Sequence, residues 1–173
     1  MAIAAFSVYK YVGAGCSNGF DTSKAPTFLC IDAVTSNHAI YPVAIPSGTD
    51  SSHSYENWLK IKCTQAPDNY CENFKIYGPT DPPGRGCFIY LGTASNRSTP
   101  TPTINQSNVA TARSDIRFYD VGTAIDIPVS INGGKITAVG DKTDFVIFQL
   151  KLFSSAIPGA IGIQAYHLVY DES

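Results

Sequence analysis

Charge is scarce in this sequence. Charged residues are 15% of the 173, and 12 Lys+Arg against 14 Asp+Glu leave a formal net charge of -2. A chain that binds nucleic acid or anionic lipid through bulk electrostatics carries a basic excess, and this one has none. The partners expected are proteins, with no nucleic acid and no membrane among them. Long hydrophobic runs are missing too: nothing approaches the roughly 18 apolar residues of a membrane-spanning helix. The opening MAIAAFSVYKY has neither the basic n-region nor the long apolar h-region of a secretory signal. Synthesis in a cytoplasm is expected, with thiols reduced.

The residue patterns that carry catalysis are also lacking. The three histidines, His38, His53 and His167, form no HExxH or similar ligand spacing. The five cysteines (Cys16, Cys30, Cys63, Cys71, Cys87) are an odd set whose gaps differ from those of structural zinc sites. Cys63 and Cys71 flank a turn at Ala66–Asn69 and could face each other on paired strands, so a disulfide is one reading. Buried free thiols are the better one. Gly13-Ala14-Gly15-Cys16-Ser17-Asn18-Gly19 follows a strand as a phosphate loop would, but Pro26 comes too soon for the helix that phosphate binding needs. Gly-x-Ser-x-Gly is absent and the carboxylates are scattered. These readings give no catalytic, cofactor or metal residue, and a protein that is not an enzyme.

What the chain has is apolar strand pattern. Hydrophobic residues reach 44%, enough for a substantial core in one domain spanning 1–173. Ile3 to Val12, Thr27 to Val34, Trp58 to Thr64, Glu72 to Tyr77, Cys87 to Gly92, Ile116 to Tyr119, Ala124 to Ile131 and Lys135 to Val139 read as strands separated by Gly and Pro punctuation. Trp58 to Thr64 alternates: Leu59, Ile61 and Cys63 share one face, Trp58, Lys60 and Lys62 the other. It is expected to form a hairpin with Glu72 to Tyr77. Asn132-Gly133-Gly134 between apolar runs is a strong hairpin signal. From Asp144 to Glu172, the runs DFVIFQLKLF and AIGIQAYHLVYDE flank Ser154 to Gly159, which predicts a long closing hairpin. The pattern predicts an all-β fold, an antiparallel β-sandwich of jelly-roll or immunoglobulin-like type with nine or ten strands.

Two segments read as long loops, at about 35–57 and 93–114. Loops of this length in a compact domain commonly carry contacts. Within them Tyr41, His53, Tyr55, Arg97 and Arg113 are the candidate interface residues, because Tyr and Arg are enriched at interface cores. Tyr55, Trp58, Phe74, Tyr77, Phe88 and Tyr90 crowd aromatics into one third of the chain. An exposed sugar platform could use such rings, but a core layer with cross-strand aromatic pairs is the plainer reading.

The segments YKYVGAGCSNG, SYENWLKIKCTQAPDNYCENFKIYG, YLGTASN and DFVIFQLKLFSSAIPGAIGIQAYHLVYDES, in that order and across nearly the whole chain, resemble small all-β virion proteins of tailed bacteriophages. The resemblance implies a repeated, non-enzymatic particle component: a capsid decoration or cement protein, or a tail or neck component. It implies a homo-oligomer located in the virion, with copies of itself and the major capsid protein as partners. It carries over no catalytic residues. A carbohydrate-binding β-sandwich module is the alternative from another class.

Overall fold

The structure is a computed structural model that describes residues 3–12, 18–21, 28–29, 42–78, 83–95, 114–115, 117, 120, 122–159 and 165–173. Among these the chain is all-β. Ten strands follow in order: β1 (Ala5–Val12), β2 (Asn18–Asp21), β3 (Ser51–His53), β4 (Asn57–Gln65), β5 (Cys71–Tyr77), β6 (Cys87–Ala94), β7 (Ser114–Asp115), β8 (Ile125–Asp126), β9 (Phe145–Phe153) and β10 (His167–Glu172). A larger sheet has the order β2-β1-β4-β9-β6-β7, with β3 also pairing β9, and a smaller sheet has the order β10-β5-β8. Every strand pair is antiparallel.

β9 is the axis of the larger sheet, with β6 along one side and β3 followed by β4 along the other. Both of its faces are covered. Val146, Phe148, Leu150 and Leu152 enter the main core, while Phe145, Ile147 and Gln149 are buried on the opposite face. A strand covered on both sides reads as a nearly unbroken apolar run, which is what FVIFQLKLF is.

The main core draws on both sheets. Leu59, Ile61 and Cys63 of β4, Ile89 and Leu91 of β6 and the even-numbered residues of β9 join Phe74 and Ile76 of β5, with Ile127 and Ile136 from loops. Phe6 of β1 meets Phe74 edge-on at 5.4 Å and Tyr170 of β10 at 5.0 Å, tying the first and last strands across this core. Such aromatic pairs add about 0.5–1.5 kcal/mol each beyond their buried area.

The strand pairing differs from the sequence expectation in three places. The closing hairpin does not form: β9 lies in the larger sheet, and β10 pairs β5 in the smaller one, His167 opposite Tyr77 and Leu168 opposite Ile76. Nor do β4 and β5 form a hairpin, since the link after Gln65 carries the chain from one sheet to the other. Cys63 and Cys71 therefore approach the core from different sheets, and they, like Cys87, are buried free thiols. At Asn132-Gly133 the turn itself is present: both residues have positive φ (48° and 66°), and the Gly134 N–H donates to the Ile131 carbonyl at 2.9 Å. That is the type I′ geometry for which Asn-Gly is suited. Its flanks do not form a ladder with each other, because Ile136 instead bridges Cys71 of β5. Most of the strands expected at 27–34 and 116–119 lies outside the described residues.

Candidate interaction surfaces

Of the five residues expected at an interface, Tyr41, Arg97 and Arg113 lie outside the described residues. His53 corrects the expectation. Residues 51–53 form β3 rather than loop, His53 stands opposite Lys151, and its side chain is only 4% exposed. The cause is β9, which runs past the end of β4 and captures the preceding segment. The Ser54 N–H donates to the Leu150 carbonyl at 2.8 Å, and the Gln149 amide donates to the Ser54 carbonyl at 2.9 Å. Tyr55 is half-buried, and its N–H donates to the Leu29 carbonyl at 2.8 Å.

The face of the larger sheet that points away from the main core has a consistent chemistry. Antiparallel register puts Tyr9 beside Lys60, Tyr11 beside Trp58 and Trp58 beside Ile147. Its centre is a second buried cluster of Tyr11, Trp58, Phe145 and Ile147. The Trp58 indole N–H donates to the Glu56 carboxylate at 2.6 Å, so the largest side chain of the cluster has its polar edge satisfied. Around this centre, ammonium groups lie over rings. Lys60 is 4.3 Å from the Phe145 centroid, Lys62 is 4.7 Å from Tyr9, Lys142 is 5.7 Å from Tyr11, and Lys151 is 4.9 Å from Phe153. Farther along, Arg117 covers Phe88 at 4.4 Å and binds Asp115 at 2.6 Å. Cation–π contact holds each lysine stem against a ring without cancelling its charge.

The smaller sheet carries charges of both signs, with Lys75 paired to Asp126 and Lys135 to Glu72. β5 bulges at Asn73, which takes a positive φ of 56°, and the register slips between Val169 and Asp171 opposite it. A left-handed residue at a bulge suits Asn better than most side chains. The Asn73 amide donates to Asp171 at 2.7 Å. Asp126 stands opposite Lys75 at 3.6 Å with its side chain 82% exposed. Asp126 and Asp171 both line a depression of about 670 Å³, together with Asn73, Lys75, Val129 and Val169. β10 is an edge strand, with His167, Val169, Asp171 and Glu172 exposed along it.

Among the described residues no group of three His, Cys, Asp or Glu is placed to hold a metal ion. Burial pushes the thiols of Cys63, Cys71 and Cys87 up from their ordinary value, Cys71 to about 11, which suits packing rather than nucleophilic work. Lys60 and Lys62 were legible as one outward strand face. Lys142 and Lys151 join them only through pairing that the residue pattern does not reveal. The observations define a class, an all-β protein with two antiparallel sheets about a shared core. No protein-family model, curated protein or solved structure matches the chain.

Proposed function

We propose that this chain is a non-enzymatic structural protein of a tailed-bacteriophage virion, a β-sandwich that packs on the particle lattice as a capsid decoration or cement protein. The observation that carries the reading is the pair of outward surfaces: a lysine-and-aromatic sheet face and a polar sheet edge bearing Asp126, Asp171 and Lys75, both built on strands fixed by a common core. Rigid surfaces of this kind suit a repeated component, where many modest contacts add through multivalency. The resemblance of its segments to small virion proteins supports the same reading, and a tail or neck position would use the same surfaces. The sugar-binding alternative needs exposed rings on one face. Here Trp58 and Phe74 are 1% and 2% exposed, and Tyr55, Tyr77, Phe88 and Tyr90 are half-buried, which favours the structural reading.

The test is peptide mass spectrometry of purified particles of the virus encoding this sequence. Peptides of this chain at many copies per particle are expected. Their absence from particles, with the protein present in the infected cell, overturns the proposal.

A further inference from the structure

Two lysines stand face to face in the larger sheet. Lys62 of β4 and Lys142, in the segment that leads into β9, are opposite each other at an antiparallel bridge, a position that brings Cβ atoms to about 5 Å. Like charges so placed repel and weaken the pairing. Among the described residues neither lysine has a carboxylate partner. The carboxylates closest to them along the chain are committed elsewhere. Asp141 accepts from the Thr137 and Ala138 N–H groups at 2.9 and 3.0 Å and from the Thr137 hydroxyl and the Asn132 amide at 3.2 Å each. Asp144, 5% exposed, accepts from the Ser130 hydroxyl at 2.6 Å, and Glu56, 2% exposed, accepts from the Trp58 indole N–H at 2.6 Å. Rings hold the two ammonium groups in place instead: Lys62 lies 4.7 Å from the Tyr9 centroid and donates to the Tyr9 hydroxyl at 3.4 Å, and Lys142 lies 5.7 Å from the Tyr11 centroid. Both lysines are half-buried, their charges kept while their stems are covered. The Tyr9 hydroxyl, accepting from Lys62, retains its own O–H to donate.

We propose that Lys62, Lys142 and the Tyr9 hydroxyl form a binding site for a phosphate group, free or carried as a monoester. The charges match, since a phosphate monoester carries about -1.5 to -2 near neutral pH and the site offers two ammonium groups. A carboxylate brings a single charge and leaves part of the repulsion standing. The donors match as well. Three of them arrive from three neighbouring stretches of one sheet, Tyr9 from β1, Lys62 from β4 and Lys142 from the segment bridged to it, and a phosphate group presents three acceptor oxygens. Lysine meets phosphate as a point charge and needs no forked geometry, so a sheet face is sufficient support. The bound group would remove the one like-charge opposition in this bridge, which couples binding to the stability of the sheet. The site goes beyond the virion reading and does not depend on it.

The experiment is an amide NMR titration of the full chain near neutral pH with inorganic phosphate, with phenyl phosphate as a monoester and with acetate, the ionic strength held constant with sodium chloride so that general screening does not change. Phosphate is expected to shift the signals around Tyr9, Lys62 and Lys142 along a saturating curve. Lys62→Gln and Lys142→Gln should each weaken binding about tenfold or more, because a charge-assisted hydrogen bond is lost, and Tyr9→Phe about threefold. Lys142→Arg, which keeps the charge, should retain binding, and Lys75→Gln on the smaller sheet should leave it unchanged. The same spectra show that each variant is folded, and removing one of two opposed charges does not weaken the bridge. Tighter binding of phenyl phosphate than of phosphate identifies a group carried on a larger molecule, and the reverse order identifies the free ion. Shifts that do not saturate, binding unaltered in both glutamine variants, an equal loss in Lys75→Gln, or acetate binding as tightly as phosphate each overturns the proposal. None of these results bears on whether the chain is found in particles, so the two proposals fail separately.

Discussion

Asn57 begins β4 on the face that enters the main core, in register with Phe148, and is 1% exposed. Among the described residues neither its Nδ2 nor its Oδ1 has a hydrogen-bond partner. Tyr166 packs on the same Phe148 ring at 4.7 Å, its hydroxyl likewise has no partner among the described residues, and burial pushes the phenol upward from its ordinary value. A buried polar group left unpaired costs about 1–3 kcal/mol in desolvation. Leucine repeats the branching of asparagine at a larger volume, so Asn57→Leu removes that cost for both amide atoms, offset by an overpacking cost of about 1–3 kcal/mol. The expected outcome is a gain of about 1–2 kcal/mol. In a chain of 173 residues this raises the Tm by roughly 2–8 °C. Tyr166→Phe should add about 1 kcal/mol by the same reasoning. The assay is urea unfolding followed by tryptophan fluorescence, with Trp58 as the single reporter. The midpoint should rise at constant slope. A midpoint that falls in Asn57→Leu would show that the amide is satisfied in solution and would refute the argument. In the double variant the two gains should add to within about 0.5 kcal/mol; larger coupling would mean the two polar groups interact with each other.

Three further outcomes follow from local geometry. The Asp141 carboxylate accepts hydrogen bonds from the Thr137 and Ala138 N–H groups at 2.9 and 3.0 Å, which hold its pKa below the usual carboxylate value. A depressed carboxyl contributes stability above its unfolded pKa of about 3.9, lost as pH falls through the lower folded value. The stability gap between wild type and Asp141→Ala should thus be full at pH 7 and close below about pH 4 in thermal melts; a gap that widens in acid contradicts the assignment. Cys63, Cys71 and Cys87 should resist iodoacetamide at pH 8 in the native protein and react after unfolding, as peptide mass spectrometry would show, whereas stoichiometric native labelling of Cys71 would contradict its burial. Gly86 has a φ of 67°, and a Cβ there would lie 2.5 Å from the Ala156 nitrogen, so Gly86→Ala should lose at least about 1–3 kcal/mol in denaturant melts, and a neutral result would show that the turn is free to move.

The longer strands were legible, whereas the one expected at Lys135 to Val139 is only a bridge at Ile136 and the one at Ala124 to Ile131 shortens to β8; strand partners were not legible. β4 was visible through the alternation of Leu59, Ile61 and Cys63, and β9 through its unbroken apolar run, because burial on one or two faces leaves a direct mark on residue choice. Pairing leaves a weaker mark. Cys63 and Cys71 point into the same core whether their strands pair in one sheet or face each other from two, so the short link between them reads as a hairpin turn although it crosses between sheets. The same ambiguity produced the expected closing hairpin from β9 and β10. β3 was hidden because Ser51, Ser52 and His53 have little strand character of their own and are ordered by β9. The lysine face was half visible. Lys60 and Lys62 alternate with β4, but Lys142 reaches them only through a bridge 80 residues away along the chain.

The central place of β9 has a consequence for how the molecule is made. A ribosome delivers β1 through β8 before it delivers the strand that joins β4 to β6. Until then the two halves of the larger sheet have nothing between them, and Leu59, Ile89 and Leu91 lack the packing that β9 later supplies. Chains whose pairings span long sequence separations fold slowly and expose unpaired edges while they wait. A nascent chain stopped before Phe145 would be a target for chaperones and for sticking to its neighbours, and one extended past Phe153 would snap its larger sheet shut around the newest strand.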